Sequence, residues 1–254
     1  MSDIFHFKQF SVRQDRCAMK VGTDGVLLGA LATNSRTFEL SNFRTLELSN
    51  VLDVGTGTGV VALMLAQRYP EARIVGVDID ADAAAQAAEN FAASPWAERL
   101  TAIHADVIGS RDEGQESRVK GQYNLIVCNP PYYAYSPASS SEARDNARRT
   151  DTLTHEELAK VASRQLCDEG VFDVIIPFSA ADEFIHTCWL HDLYLVRRID
   201  IRTKADKPFK RSVLSFSKNR AFALPRSQTL ELFRADGTPT DEYRALTADF
   251  YIKL

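Results

Sequence analysis

The 254-residue sequence predicts a doubly wound α/β fold. Its sheet is seven-stranded and mostly parallel, with an antiparallel C-terminal edge and a small N-terminal extension. Short apolar runs recur near positions 51, 74, 100, 124 and 171 with helix-length stretches between them, which is the alternation of a parallel sheet. Two later runs, 194–203 and 212–217, flank a loop around Pro208 and read as an antiparallel edge pair. A third observation joins fold to chemistry. Four successive runs end in Gly-rich or polar clusters, and in such a sheet those ends converge on one crevice outside the carboxyl edges of the strands.

Each element has a local cause. Residues 1–50 read as a hairpin, a helix and a polar linker from 33 to 50. The linker carries Thr-Phe-Glu-Leu-Ser-Asn and then Thr-Leu-Glu-Leu-Ser-Asn, a near-repeat too short for a solenoid. Residues 51–254 form the core of what reads as one domain spanning 1–254. Val51-Leu-Asp-Val-Gly-Thr-Gly-Thr-Gly59 is a buried strand running into a Gly-rich turn, and 58–68 follows with helical periodicity. Ile74-Val-Gly-Val-Asp78 and Leu100-Thr-Ala-Ile-His-Ala-Asp106 are strands closed by acids. Residues 111–122 read as a surface loop without chemistry. Tyr123-Asn-Leu-Ile-Val-Cys128 then leads into Asn129-Pro130-Pro131-Tyr132, and the Ser- and Arg-rich stretch 136–150 reads as a lid. Thr154 with Glu157 is a capping box opening a helix that runs to Cys167, with Gly170 as its stop before Val171-Phe-Asp-Val-Ile-Ile176.

The tetrapeptide 129–132 suits methylation of a planar, conjugated NH2. The lone pair of such a nitrogen is delocalised, so the amine is a poor nucleophile. The Asn129 side-chain oxygen and the Pro130 carbonyl can each accept one N–H, favouring the pyramidal nitrogen of the transition state. Two prolines stiffen the loop, and Tyr132 offers a ring for stacking the base; Tyr133 and Tyr135 compete for that role. Asn-Pro also starts ordinary turns. Upstream, Gly55, Gly57 and Gly59 are spaced G-x-G-x-G rather than G-x-G-x-x-G, and Asp53 lies inside the turn. A carboxylate repels a pyrophosphate but holds an α-ammonium, so the turn favours S-adenosylmethionine over a dinucleotide. Asp78 stands where a ribose-binding acid belongs, Ile79 is placed to line the adenine face, and Asp106 to accept from the adenine amine.

Composition sets outer bounds. No apolar run approaches a membrane span and no signal-peptide pattern opens the chain, so a cytoplasmic location is expected. The four cysteines are far apart, without C-x-x-C or paired histidines; buried thiols are expected, and no metal. Net charge is −4, with 30 basic against 34 acidic residues, which does not announce a nucleic-acid binder. Distribution says more than the sum. Arg197, Arg198, Arg202, Lys204, Lys207, Lys210 and Arg211 crowd one stretch, with Lys204, Lys207, Lys210 and Arg211 as candidates to meet phosphates. Arg144, Arg148 and Arg149 follow the tetrapeptide. A solvated charged face explains either cluster equally well.

The set D-x-G-T-G-T-G, V-D, A-D and N-P-P-Y resembles the class I S-adenosylmethionine-dependent methyltransferases of the amino-methylating branch, over residues 50–180. Residues 7–31, from Phe7-Lys-Gln-Phe-Ser-Val-Arg to Leu31, are similar to the opening of the bacterial tRNA (adenine-N6)-methyltransferases that modify the valine tRNA beside its anticodon. Thr240-Asp-Glu-Tyr-Arg-Ala-Leu-Thr-Ala-Asp-Phe-Tyr251 resembles that family's ending. The resemblance implies a Rossmann-like methyltransferase sheet, S-adenosylmethionine as cofactor, tRNA as partner, and methyl transfer to N6 of adenine 37, by a chain expected to act as a monomer. In the family the segment matching 19–28 packs beside the cofactor, which implies contacts from Thr23 and Asp24; helix capping is the alternative for both. Glutamine-N5 methyltransferases of release factors also carry N-P-P-Y and remain a second reading, as do other adenine-N6 methyltransferases of rRNA or DNA. An RNA-binding protein on a retired methyltransferase scaffold is a third.

Overall fold

In the computed structural model, which describes residues 3–33, 48–108, 122–131, 153–220 and 226–253, the apolar runs fold as strands of one large sheet. Its parallel half comprises β3 (Asn50–Val54), β4 (Arg73–Asp78), β5 (Leu100–His104), β6 (Tyr123–Cys128) and β7 (Leu166–Pro177). β8 (Tyr194–Arg202), β9 (Arg211–Ser217) and β10 (Arg226–Glu231) complete it. Among the described residues the sheet is eight-stranded, in the order β10-β8-β9-β7-β6-β3-β4-β5. Both faces of the central strands are covered, which is why they read as continuous apolar runs. Val51, Leu125, Val127, Val171 and Ile175 enter one core, and Leu52, Ile126, Cys128, Phe172, Val174 and Ile176 enter the other.

The first core is roofed by α1 (Thr23–Leu31), α2 (Val60–Arg68) and α6 (Asp241–Thr247). The second lies under α4 (His155–Gln165) and α5 (Ala181–Leu190), and α3 (Ala81–Ala92) follows β4. A hairpin of β1 (Ile4–His6) and β2 (Ser11–Arg13) precedes α1. No described helix is long and apolar enough to cross a membrane.

Three local expectations are corrected. The hairpin β8–β9 is not the edge. β9 is antiparallel to both β7 and β8, and β10 pairs parallel with β8 to form the edge as an eighth strand. The sequence 226–231, Arg-Ser-Gln-Thr-Leu-Glu, hides this strand because only Leu230 supplies a buried apolar side chain. The capping box at Thr154 and Glu157 forms as expected, but the helix ends at Gln165 and the chain turns straight into β7. Gly170 is therefore a strand residue rather than a helix stop. A Cβ there would fall 2.7 Å from the Leu166 side chain and 2.9 Å from the Tyr123 carbonyl, so glycine permits the close approach of β6 and β7 where their register shifts.

Candidate active site

Val54 pairs with Cys128 on β6 and with Val77 on β4, and Asp78 pairs with His104 on β5. With strands about 4.8 Å apart, this register carries Gly55, Asp78, Asp106 and Asn129 to one carboxyl edge, the convergence that the order of motifs predicts.

The Gly-rich turn is shaped by backbone that only glycine adopts readily. Gly55, Gly57 and Gly59 have φ of +69°, +54° and +79°. Nothing lies within 4 Å of a Cβ built on Gly55 or Gly57, whereas one on Gly59 would fall 2.5 Å from the Phe91 ring. The first two glycines thus leave open the space over the turn, and the third lets α2 start against α3. The turn is fastened to β4 through the Gly55 and Thr56 amides, which donate to the Val77 carbonyl at 2.8 and 3.0 Å.

Asp53 has a different task from the one its position suggests. Its carboxyl is 1% exposed and accepts the Thr56 hydroxyl at 2.7 Å, so it braces the turn from beneath and does not face a ligand ammonium. Burial raises it to about 7, against the lowering effect of bonds from Thr56 and the Ala62 amide.

Asp78, by contrast, is half-buried at the end of β4. Its two oxygens accept the Gly57 amide at 2.8 Å and the Asp80 amide at 3.0 Å, with the Ile79 amide as a further backbone donor, which leaves the carboxylate capacity for one more donor such as a ribose hydroxyl. Burial raises its carboxyl, partly offset by those same bonds. Because the Gly57 N–H already points at Asp78, a pyrophosphate here would meet a carboxylate instead of a free amide, so the turn suits a cofactor without phosphates. Beside it, Ile79 is 53% exposed, an apolar surface at the carboxyl edge. Asp106 is half-buried and takes the Ile108 amide at 2.9 Å. An open turn, a ribose-ready carboxylate and an exposed apolar side chain fit the adenosine of S-adenosylmethionine.

Asn129 is half-buried directly after the last residue of β6, and Pro130 is buried beside it. Tyr132, Tyr133, Tyr135, Arg144, Arg148, Arg149 and the rest of 136–150 lie outside the described residues. The neighbouring thiol of Cys128 is pushed well up by burial and by the carboxyls of Asp53 and Asp78, which leaves it inert.

The N-terminal segment reaches the same edge. Gly22, not Thr23 or Asp24, is the N-cap of α1, and no side chain caps it. Asp24 is ion-paired with Arg211 at 2.9 Å, joining α1 to the start of β9 and occupying a guanidinium that the sequence offers to phosphate. Between β2 and α1, a strap runs along α3. Asn90 accepts the Arg13 amide at 2.8 Å and donates to the Arg13 and Thr58 carbonyls at 2.9 and 2.8 Å, so one buried amide ties strap to Gly-rich turn. Gln86, one helical turn earlier, accepts the Arg16 amide at 2.9 Å. Sequence reasoning passes over both residues, although their i, i+4 spacing in an Ala-rich helix is a signal for one polar face. It also passes over His104, whose Nε2 lies 3.1 Å from the Ile79 carbonyl.

The basic stretch divides in two. Arg197 is 2% exposed in the core, paired with Asp173 at 3.4 Å and bonded to Ser215 and the Leu31 carbonyl. Arg198 pairs with Asp182 and Asp200, and Arg202 with Glu231. All three guanidiniums are held by acids of the fold. Lys207 and Lys210 remain exposed, Lys207 with the exposed Asp206 beside it at 3.3 Å, and Lys204 is partly exposed with its ammonium on the Ala235 carbonyl.

The methyltransferase small domain family matches residues 35–177, more than half of the chain. A tRNA1(Val) (adenine(37)-N6)-methyltransferase of Yersinia enterocolitica is 40% identical over 98% of this chain and 92% of its own length. The chain belongs to that methyltransferase family. A protein of the same name from Christiangramia forsetii is likewise 40% identical, over 98% of both chains. Among solved structures, a predicted O-methyltransferase of Agrobacterium tumefaciens superposes with a TM-score of 0.66 at 17% identity, over 89% of this chain and 96% of that one, which shows the shared fold. The adenine-N6 methyltransferase relatives thus span the N-terminal strap and the C-terminal strands as well as the central motifs.

Proposed function

We infer that this methyltransferase transfers a methyl group from S-adenosylmethionine to N6 of adenine 37 of tRNA1(Val). The observation that carries the reading is Asn129-Pro130 at the end of β6, on the same edge as the Gly57–Asp78 bond and one strand away from it. When bound, S-adenosylmethionine supplies a methyl carbon made electrophilic by its sulfonium. Asp78 would hold the ribose, Ile79 and Asp106 the adenine ring, and the open face over Gly55 and Gly57 would take the amino-acid portion. Asn129 Oδ1 and the Pro130 carbonyl accept the two N6 hydrogens, drawing the nitrogen lone pair out of conjugation and toward the methyl carbon. The charge that develops on nitrogen is stabilised by the same two acceptors, so no general base is required. The bond from sulfur to the methyl carbon would break as the N–C bond forms, leaving the neutral thioether, and one N6 proton leaves to solvent. The exposed lysines of the 203–210 loop supply the cationic surface for the RNA backbone. The chain acts in the cytoplasm and as a monomer, the latter checked by sedimentation with and without tRNA.

Tritiated methyl transfer to total tRNA followed by nucleoside analysis tests the reading. Label in N6-methyladenosine from tRNA1(Val) is the expected result. Label in a release factor and none in tRNA would replace it with the glutamine-N5 activity.

A further inference from the structure

Next to the Asn129 end of β6, the same sheet edge carries an array of two aromatic rings and two guanidiniums. Phe178 opens the short 3-10 turn after β7, and Phe209 lies in the loop before β9. Pro177 pairs with Arg211, which brings the two rings together with centroids 5.1 Å apart and planes 32° apart. The Arg198 guanidinium lies 5.3 Å from the Phe178 centroid and that of Arg202 lies 5.2 Å from the Phe209 centroid. Each guanidinium is held by acids: Arg198 by Asp182 and Asp200, Arg202 by Glu231.

The loop that carries Phe209 is itself fastened. Lys207 N donates to Lys204 O at 3.0 Å, Lys210 N to Ile201 O at 2.9 Å, and Phe178 N to Lys210 O at 3.1 Å. Both rings are partly exposed, in contrast to Phe172 and Phe216, which are fully buried. The catalytic step above uses none of these groups.

We propose that Phe178 and Phe209, with the Arg202 guanidinium, form a stacking subsite for a nucleobase that flanks the target adenine. The proposal rests on the RNA reading of the active site and names a further contact of that site. Position is the first argument. Cys128 pairs with Val174, so Asn129 and Phe178 leave adjacent strands about three residue rises apart, roughly 10 Å, a span of one or two nucleotide steps.

Energetics is the second. Turning an adenine out of its stack also strips its neighbour of a stacking partner, and an aromatic platform replaces that partner. Charge is the third. The exposed Lys207 and Lys210 flank Phe209 in its loop and can meet phosphates, while the acid-paired guanidiniums of Arg198 and Arg202 present planar faces beside the rings, a setting matched to a nucleotide more than to an apolar peptide.

The test uses the full chain and an anticodon stem-loop RNA bearing the target adenine, with matched RNAs made abasic at the nucleotide on its 5′ side or on its 3′ side. Rates and KM for RNA are measured for the parent, Phe209→Ala, Phe178→Leu and Phe209→Tyr, and calorimetry with S-adenosylhomocysteine reports the integrity of the cofactor site. Removing a flanking base is expected to raise the parent's KM about tenfold at one of the two positions. Phe209→Ala is expected to raise KM by a similar factor on intact RNA, to leave cofactor affinity unchanged, and to respond less than about twofold to that same abasic change, because the two losses remove one interaction. Phe209→Tyr, which keeps a ring, should restore most of the affinity.

Abasic and Phe209→Ala effects that multiply independently would overturn the subsite, since a residue that only stiffens the loop is indifferent to which base is missing. A parent whose KM ignores both abasic changes would overturn it without recourse to any variant. A parent that methylates protein and no RNA would overturn the RNA reading itself, a result visible before any variant is made.

Discussion

Burial raises the Asp53 carboxyl to about 7, so between roughly pH 4 and pH 7 the folded chain holds a proton that the unfolded chain has released. A raised acid contributes stability that is fully present below the unfolded value and is lost as pH rises through the folded one. Asp53→Asn keeps an acceptor for the Thr56 hydroxyl and removes the titration, so its stability should stay flat where the parent declines. At about 1.4 kcal/mol per pKa unit, the parent should lose up to about 3–4 kcal/mol more than the variant between pH 4 and pH 7.5 in urea titrations; parallel pH profiles would show that Asp53 is not the proton carrier. Asp78 plays the opposite part at the same edge. Asp78→Ala should weaken S-adenosylmethionine binding by about 1.5–3 kcal/mol, the worth of charge-assisted bonds to the ribose, and unchanged affinity by calorimetry would remove the ribose assignment. At Asn129, substitution by Ala should lower turnover roughly 10²–10³-fold with cofactor affinity nearly intact; retention of more than about half the turnover would sink the acceptor role. These contrasts also mark what a sequence discloses about single residues. The strand-end positions of Asp78 and Asn129 are readable because strand ends are readable, but Asp53 and Asp78 look alike until burial separates one at 1% exposure from one that is half-buried at the carboxyl edge.

Among elements, the parallel half of the sheet is legible because two-sided burial writes continuous apolar runs, as at Leu125 to Cys128. β10 is not, since an edge strand needs one buried side chain where a central strand needs four or five. The strap across α3 is hidden for a related reason: its backbone is held by side chains of another helix, and nothing in residues 13–16 announces it. Asn90 carries most of that attachment. Asn90→Ala would leave the buried Thr58 carbonyl and the part-buried Arg13 amide and carbonyl without their partner, which should cost about 1–3 kcal/mol of stability. Because Thr58 belongs to the Gly-rich turn, the variant should also bind S-adenosylhomocysteine more weakly. Asn90→Asp should not rescue it, because a carboxylate would face two carbonyl oxygens that need donors. A thermal melt within about one degree of the parent would show that the strap is held by other contacts.

For the whole molecule, net charge is a poor guide and placement a good one. A chain at −4 still presents Lys204, Lys207 and Lys210 beside the catalytic edge, because β8 runs parallel to β7 and delivers its following loop to the same side of the sheet. Counting basic residues in sequence finds this stretch but overstates it: Arg197 neutralises Asp173 inside the core, and Arg211 is paired with Asp24. The distinction is measurable. Each lysine that meets a phosphate releases condensed counterions, so RNA affinity should fall steeply with salt, and replacing Lys204, Lys207 and Lys210 together by Ala should reduce the slope of log K against log salt by about two to three units. Arg211→Ala should leave that slope unchanged while loosening the junction of α1 and β9, because its guanidinium is already paired. An unstructured RNA of equal length should bind less well than the stem-loop, since the target adenine must be presented in a loop before it is turned into the pocket. Equal slopes for the parent and the triple-lysine variant would place the RNA path elsewhere on the carboxyl edge, and a slope that falls with Arg211→Ala alone would show that its pairing with Asp24 opens when RNA arrives.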